Sequence, residues 1–79
     1  MNLYYYRDID KKEIDLLIVN ADGITPIEIK KAKSPSDADK NFSVLKKLNI
    51  QIKTGLVLCM ADELVPFNKD AWLCPISLI

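Results

Sequence analysis

Apolar residues fall along the chain in short blocks, each of strand length and each closed by polar or turn-forming residues. Leu3-Tyr4-Tyr5-Tyr6 forms the first block, followed by Arg7 and the polar run Asp8-Ile9-Asp10-Lys11-Lys12. Aromatic and β-branched residues favour a pleated, half-buried surface, so this block predicts a strand and a turn. Glu13 to Val19 and Ile24 to Lys31 predict two more strands around Asn20-Ala21-Asp22-Gly23. Asp-Gly between β-prone runs is a hairpin signal, because a type I′ turn needs positive φ at both central residues. Pro26 cannot donate a ladder bond, which places it against a gap or a bulge.

A change of period follows. Ser34 suits a helix cap, Pro35 the first helical position, and Asp37 the positive end of the helix dipole. Ala38, Phe42, Leu45 and Leu48 then make one apolar stripe, with Lys40, Lys46 and Lys47 off it and Asn49 as the stop. The run from Gly55 to Met60 is almost wholly apolar, as in a strand covered on both faces. Glu63–Phe67 and Trp72–Leu78 predict the last strands, with Trp72 in the core. These elements predict an α/β fold: a three-stranded antiparallel meander, a right-handed crossover helix, and further strands in a mixed sheet.

With 79 residues the chain predicts a single domain over residues 1–79, near the lower size limit for one hydrophobic core. Eleven basic residues balance eleven acidic ones, so no global field draws the protein to a polyanion and any such attraction must be local. The absence of histidine excludes His-based triads and His-rich zinc sites. Cys59 and Cys74 lie in apolar runs and read as buried, reduced thiols. No run is long enough to span a membrane and no signal peptide is visible, which leads to the expectation of a cytoplasmic protein.

The charged residues inside the second and third strands carry the chemical interest, since strands disfavour Asp, Glu and Lys. A turn centred on Asp22-Gly23 sets Asp15 opposite Lys30, Leu17 opposite Glu28 and Glu13 opposite Ala32, with Glu28 diagonal to Asp15. Glu13, Asp15, Glu28 and Lys30 then share one face, and Ile14, Leu16, Ile18, Ile27 and Ile29 share the other, the expected seat of the helix. Two carboxylates suit Mg²⁺, which takes one or two carboxylates together with substrate phosphate and water. In that arrangement Asp15 and Glu28 are ligands, the Ile29 carbonyl is a further oxygen ligand, and Lys30 offsets charge at a scissile phosphate. Lys31, Lys33 and Lys40 extend a basic strip suited to phosphate backbone. The same charges also fit an ordinary solvated sheet face with cross-strand ion pairs.

Asp15…Glu28-Ile29-Lys30 resembles the D…E-x-K core of the PD-(D/E)XK, or restriction-endonuclease-like, superfamily. More narrowly, "YYYRDIDKKEIDLLIV", "ITPIEIKKAKSP" and the ending "CPISLI" are similar to the uncharacterised C-terminal domain of prokaryotic AAA+-type ATPases. The resemblance covers most of the chain from Tyr4. It implies Mg-dependent DNA phosphodiester hydrolysis by Asp15, Glu28 and Lys30, or a catalytically inactive docking module of the ATPase. Two departures accompany it. The superfamily core usually begins with a helix that often bears another acid, and the chain starts almost at the first strand, leaving Glu13 as a substitute. No G-x-x-x-x-G-K-[ST] loop is present, so the chain reads as a C-terminal fragment or remnant of a longer protein. DNA, the ATPase module and, through exposed strand edges, a second copy are the expected partners.

Overall fold

The computed structural model describes residues 2–7, 12–33 and 35–78. Among the described residues six strands form one sheet: β1 (Asn2–Arg7), β2 (Glu13–Asn20), β3 (Gly23–Ile29), β4 (Gly55–Cys59), β5 (Val65–Asn68) and β6 (Ala71–Pro75). Their spatial order is β1-β2-β3-β4-β6-β5. β1, β2 and β3 are an antiparallel meander, β4 runs parallel to β3 and to β6, and β5 returns antiparallel as the far edge. A short 3₁₀ turn, Ile76–Leu78, follows β6.

The α/β class and its crossover α-helix are not what the chain forms. The β3–β4 connection runs through turns into a 3₁₀ helix, Phe42–Leu48, and the molecule is predominantly sheet. Two features explain the correction. Asp37 has a positive φ of 53°, a conformation no α-helix interior accepts, so the segment is broken near its start, while Asn49 (φ 52°) ends it where the sequence placed the stop. Between these two residues the apolar residues recur every third position, the period at which 3₁₀ side chains eclipse. Phe42 and Leu45 are buried by that spacing, and Lys40, Ser43 and Lys46 follow it along the outer side. Asp37 therefore complements no helix dipole, and the proposed cap Ser34 lies outside the described residues.

The hairpin also departs from expectation. Asn20 pairs with Gly23, which puts Ala21-Asp22 at the turn and shifts the register by two residues. Gly23 serves a close approach of chain. At φ +143°, a Cβ on Gly23 would stand 2.6 Å from the Gln51 carbonyl oxygen. The neighbouring Ile24 N–H donates to that carbonyl at 2.9 Å, and the Lys53 N–H donates to the Ile24 carbonyl at 2.8 Å. Lys53 also pairs with Asp22 at 2.9 Å. Pro26 falls between the isolated Ile24–Ile52 bridge and the first β3–β4 pair, Ile27–Leu56, where the ladder asks for no donor.

The layer over the sheet sits on the face opposite to that expected. Phe42 and Leu45 pack with Ile14, Leu17, Ile24 and Ala71, while Ile27, Leu58 and Cys74 form a second cluster with Leu16, Ile18 and Leu56. Leu17 and Ile14 share a side because β2 carries a bulge. Tyr4 pairs with Leu17 but Tyr6 with Ile14, so Asp15 and Leu16 stand against Tyr5 alone. The third cluster joins Ala38 to Val57 and Cys59 beneath the crossover. Trp72 is not in the core, being 39% exposed. Both cysteines are buried and free.

The crossover depends on Gly55. A Cβ there would overlap the Phe42 ring and press on Pro26. Gly55→Ala should lower stability by about 1–3 kcal/mol through overpacking, measured by urea unfolding, and Phe42→Leu in the same chain should recover part of the loss.

Candidate functional site

The bulge in β2 leaves the Asp15 N–H outside the regular ladder. One step beyond the last β2–β3 pair, Leu16–Ile27, the ladder gives way to bonds between backbone N–H groups and the side chains of Asp15 and Glu28. The Asp15 N–H donates to Glu28 Oε1 at 3.3 Å, and the Ile29 N–H donates to Asp15 Oδ2 at 2.9 Å. Lys30 Nζ lies 3.7 Å from Glu28 Oε2, and the Lys30 N–H donates to the Leu58 carbonyl at 2.9 Å, anchoring the end of β3 to β4. Asp15, Glu28 and Lys30 thus meet at one corner of the sheet.

Their surroundings differ. Glu28 follows Ile24 and Pro26 on the face beneath the crossover and pairs in register with the fully buried Val57. It is only 6% exposed, the one charged residue of the core among the described residues. Asp15 and Lys30 remain exposed. Burial pushes the Glu28 carboxyl above the usual range, and the neighbouring Asp15 charge adds to the rise. The Asp15 N–H and Lys30 pull the other way without cancelling it. Two carboxylates with a raised pKa on the buried one are a common mark of a functional site.

The other candidate residues disperse. Ile29 takes part through its N–H, which fixes the Asp15 carboxylate, and its side chain is exposed. Lys31 and Lys33 are exposed on the bend after β3, and Lys33 borders a shallow depression with Asp62, Glu63 and Leu73. Lys40 instead lines a separate cleft of about 360 Å³ with Lys46 and Lys53, over a floor of Pro26 and Phe42. The basic strip is therefore divided between two hollows. Glu13 does not join the acid pair: it meets Arg7 at 3.4 Å and accepts a hydrogen bond from the Tyr5 hydroxyl, the main reason that the Tyr5 pKa rises. Asp8 and Asp10 lie outside the described residues.

Asn41 was not singled out by the sequence. Its side-chain amide donates to the Glu13 carbonyl at 2.9 Å and ties the crossover to the start of β2, beside the acid pair. An asparagine in a turn carries no signal of a contact so distant in sequence. Among the described residues no cluster of three or more acidic or thiol side chains could enclose a cation, so any ion at Asp15 and Glu28 must complete its shell with other oxygens.

Because the folded state holds the Glu28 proton more tightly than the unfolded chain, this group favours folding below the ordinary carboxylate range. That contribution is lost as pH rises through its elevated value. Glu28→Gln, which keeps the shape and the acceptor, should melt at a higher temperature than the wild type at neutral pH. The gap should close as the pH is lowered through the carboxylate range in a series of thermal melts.

No curated protein and no solved structure matches the chain. The family model described as Domain of unknown function (DUF4143) matches residues 1–79, and the chain belongs to that family.

Proposed function

We propose that the Asp15–Glu28–Lys30 corner is the active centre of a restriction-endonuclease-like, Mg-dependent hydrolase of DNA phosphodiester bonds. The observation that carries this reading is the buried Glu28 carboxylate level with Asp15, its pKa raised by burial and by the second negative charge. Such a pair concentrates negative potential that one lysine at 3.7 Å leaves uncancelled, and a divalent cation would relieve it. The donor set fits: carboxylate oxygens are hard ligands, and Mg²⁺ readily keeps water in its remaining positions.

Asp15 and Glu28 would hold the ion, which when bound supplies charge neutralisation and a more acidic water. The Ile29 N–H keeps the Asp15 carboxylate in one orientation. Lys30, exposed beside Glu28, is placed to offset negative charge on a phosphate. Lys31, next along the chain, would meet the adjoining backbone without reading bases. A cytoplasmic setting accords with two buried, free thiols. Among the described residues no helix is long and apolar enough to cross a membrane.

A second reading, a catalytically silent docking module of an AAA+-type ATPase, is favoured by the exposed Leu3, Tyr4 and Tyr5 of β1. Activity separates the two. Mn²⁺ binding and the cleavage of branched, single-stranded and duplex DNA should be compared for wild type, Asp15→Asn and Lys30→Ala. Asp15→Asn keeps an oxygen for the Ile29 N–H while removing the charge. It should weaken cation uptake, and both variants should slow cleavage on the order of 10²-fold or more. Absent uptake, or nicking indifferent to Asp15, would leave the docking reading standing.

A further inference from the structure

The two edges of the sheet are built differently. β5 is a short edge of four residues, with Pro66 inside it and Phe67 as an extra residue between the Pro66–Trp72 and Asn68–Ala71 pairs. Proline and a bulge are standard means of stopping another strand from adding to an edge. β1 has neither. It is six residues long, contains no proline, and its irregularity lies in the β2 partner, so β1 itself runs straight through. Asn2 to Tyr6 carry no charge, and Arg7 closes the strand. Leu3, Tyr4 and Tyr5 are 56%, 53% and 60% exposed, although they project alternately to both faces. A strand whose apolar side chains are open on both sides and whose outer backbone groups meet no ladder among the described residues is a template for one more strand.

We infer that β1 pairs antiparallel with β1 of a second copy, joining two sheets into one across a two-fold axis. Charge favours this occupant. The chain has no net charge to hold copies apart, and the pairing segment itself is neutral. Geometry fixes the register. A two-fold axis perpendicular to the sheet keeps the crossover layers of both copies on the same side, so only residues of one face can stand opposite each other. Centring the axis on Tyr4 places Tyr4 against its own copy and Leu3 against Tyr5. Leu3 is the ladder partner of Ile18, so the apolar cluster of Leu16, Ile18, Ile27 and Leu58 would continue from one copy into the next. Arg7 lies at the end of the paired segment, with its own partner Glu13 beside it. The contact is isologous and closes at two copies, since each dimer then presents only the blunted β5 edges.

The inference is independent of the hydrolase reading and is tested by charge at Tyr4, whose open side chain leaves the monomer fold intact when replaced. In sedimentation velocity of the full chain over a range of concentrations, the wild type should form a dimer. Tyr4→Lys and Tyr4→Glu, which set like charges directly opposite, should each weaken it about tenfold or more. An equimolar mixture of the two variants should recover a mixed dimer. Hydrogen exchange should show the Asn2–Tyr6 amides protected in the dimer and open in either variant alone. A wild type that stays monomeric, a dimer indifferent to Tyr4, or assembly beyond two copies overturns the inference, and a mixture that remains monomeric overturns the register.

Discussion

At Asp15 and Leu16, two residues of β2 stand against one of β1, and the organisation of the sheet depends on that mismatch. Without it, Ile14 and Leu17 would point to opposite faces, and the cluster that holds Phe42 and Leu45 would lose one of its fully buried members. The same insertion takes the Asp15 N–H out of the ladder and leaves it to find a partner elsewhere. Glu28 provides that partner, and Asp15 in turn receives the Ile29 N–H. The core and the acid corner thus arise from one irregularity, and neither can be altered without disturbing the other.

Glu28 shows how the fold and the chemistry oppose each other. A carboxylate under the crossover removes charge from water with only partial compensation, and its raised pKa records that cost. An apolar residue would pack there at no such cost, in register with Val57 and next to Pro26. Retaining ionisable side chains at a place where the core favours none is a local inconsistency of the kind found at functional sites. The crossover participates, because its Ala38 packs on Val57, the β4 partner of Glu28, and its Asn41 fastens it to Glu13.

Much of the strand pattern could be read from the residues, since alternating blocks and polar turns locate all six strands to within a few positions. The nearness of Asp15, Glu28 and Lys30 was also legible from the hairpin, but not their setting, since the face expected to point away from the crossover buries Glu28 beneath it and Glu13 pairs with Arg7 instead. Three further matters were not. The bulge has no mark in the sequence, so the side of the sheet that carries the crossover came out reversed. Gly23 was read as a turn residue, whereas its missing Cβ makes room for the Gln51 backbone, a partner distant along the chain. The Phe42, Leu45 and Leu48 spacing fits both α and 3₁₀ periods over so short a run; Asn49 ends it as expected, and the positive φ of Asp37 breaks the predicted α-helix near its start.

The connection between β3 and β4 has a consequence for the order in which the chain assembles. The β2–β3 hairpin joins neighbours through a tight turn and can form within microseconds. The parallel β3–β4 pairing must instead close the long segment from Ile29 to Gly55, with no α-helix among its described residues to shorten the search by forming on its own. By contact order the arrival of β4 is the later event, and the Gln51–Lys53 clamp on Ile24 adds two backbone hydrogen bonds that hold the closed loop against the hairpin.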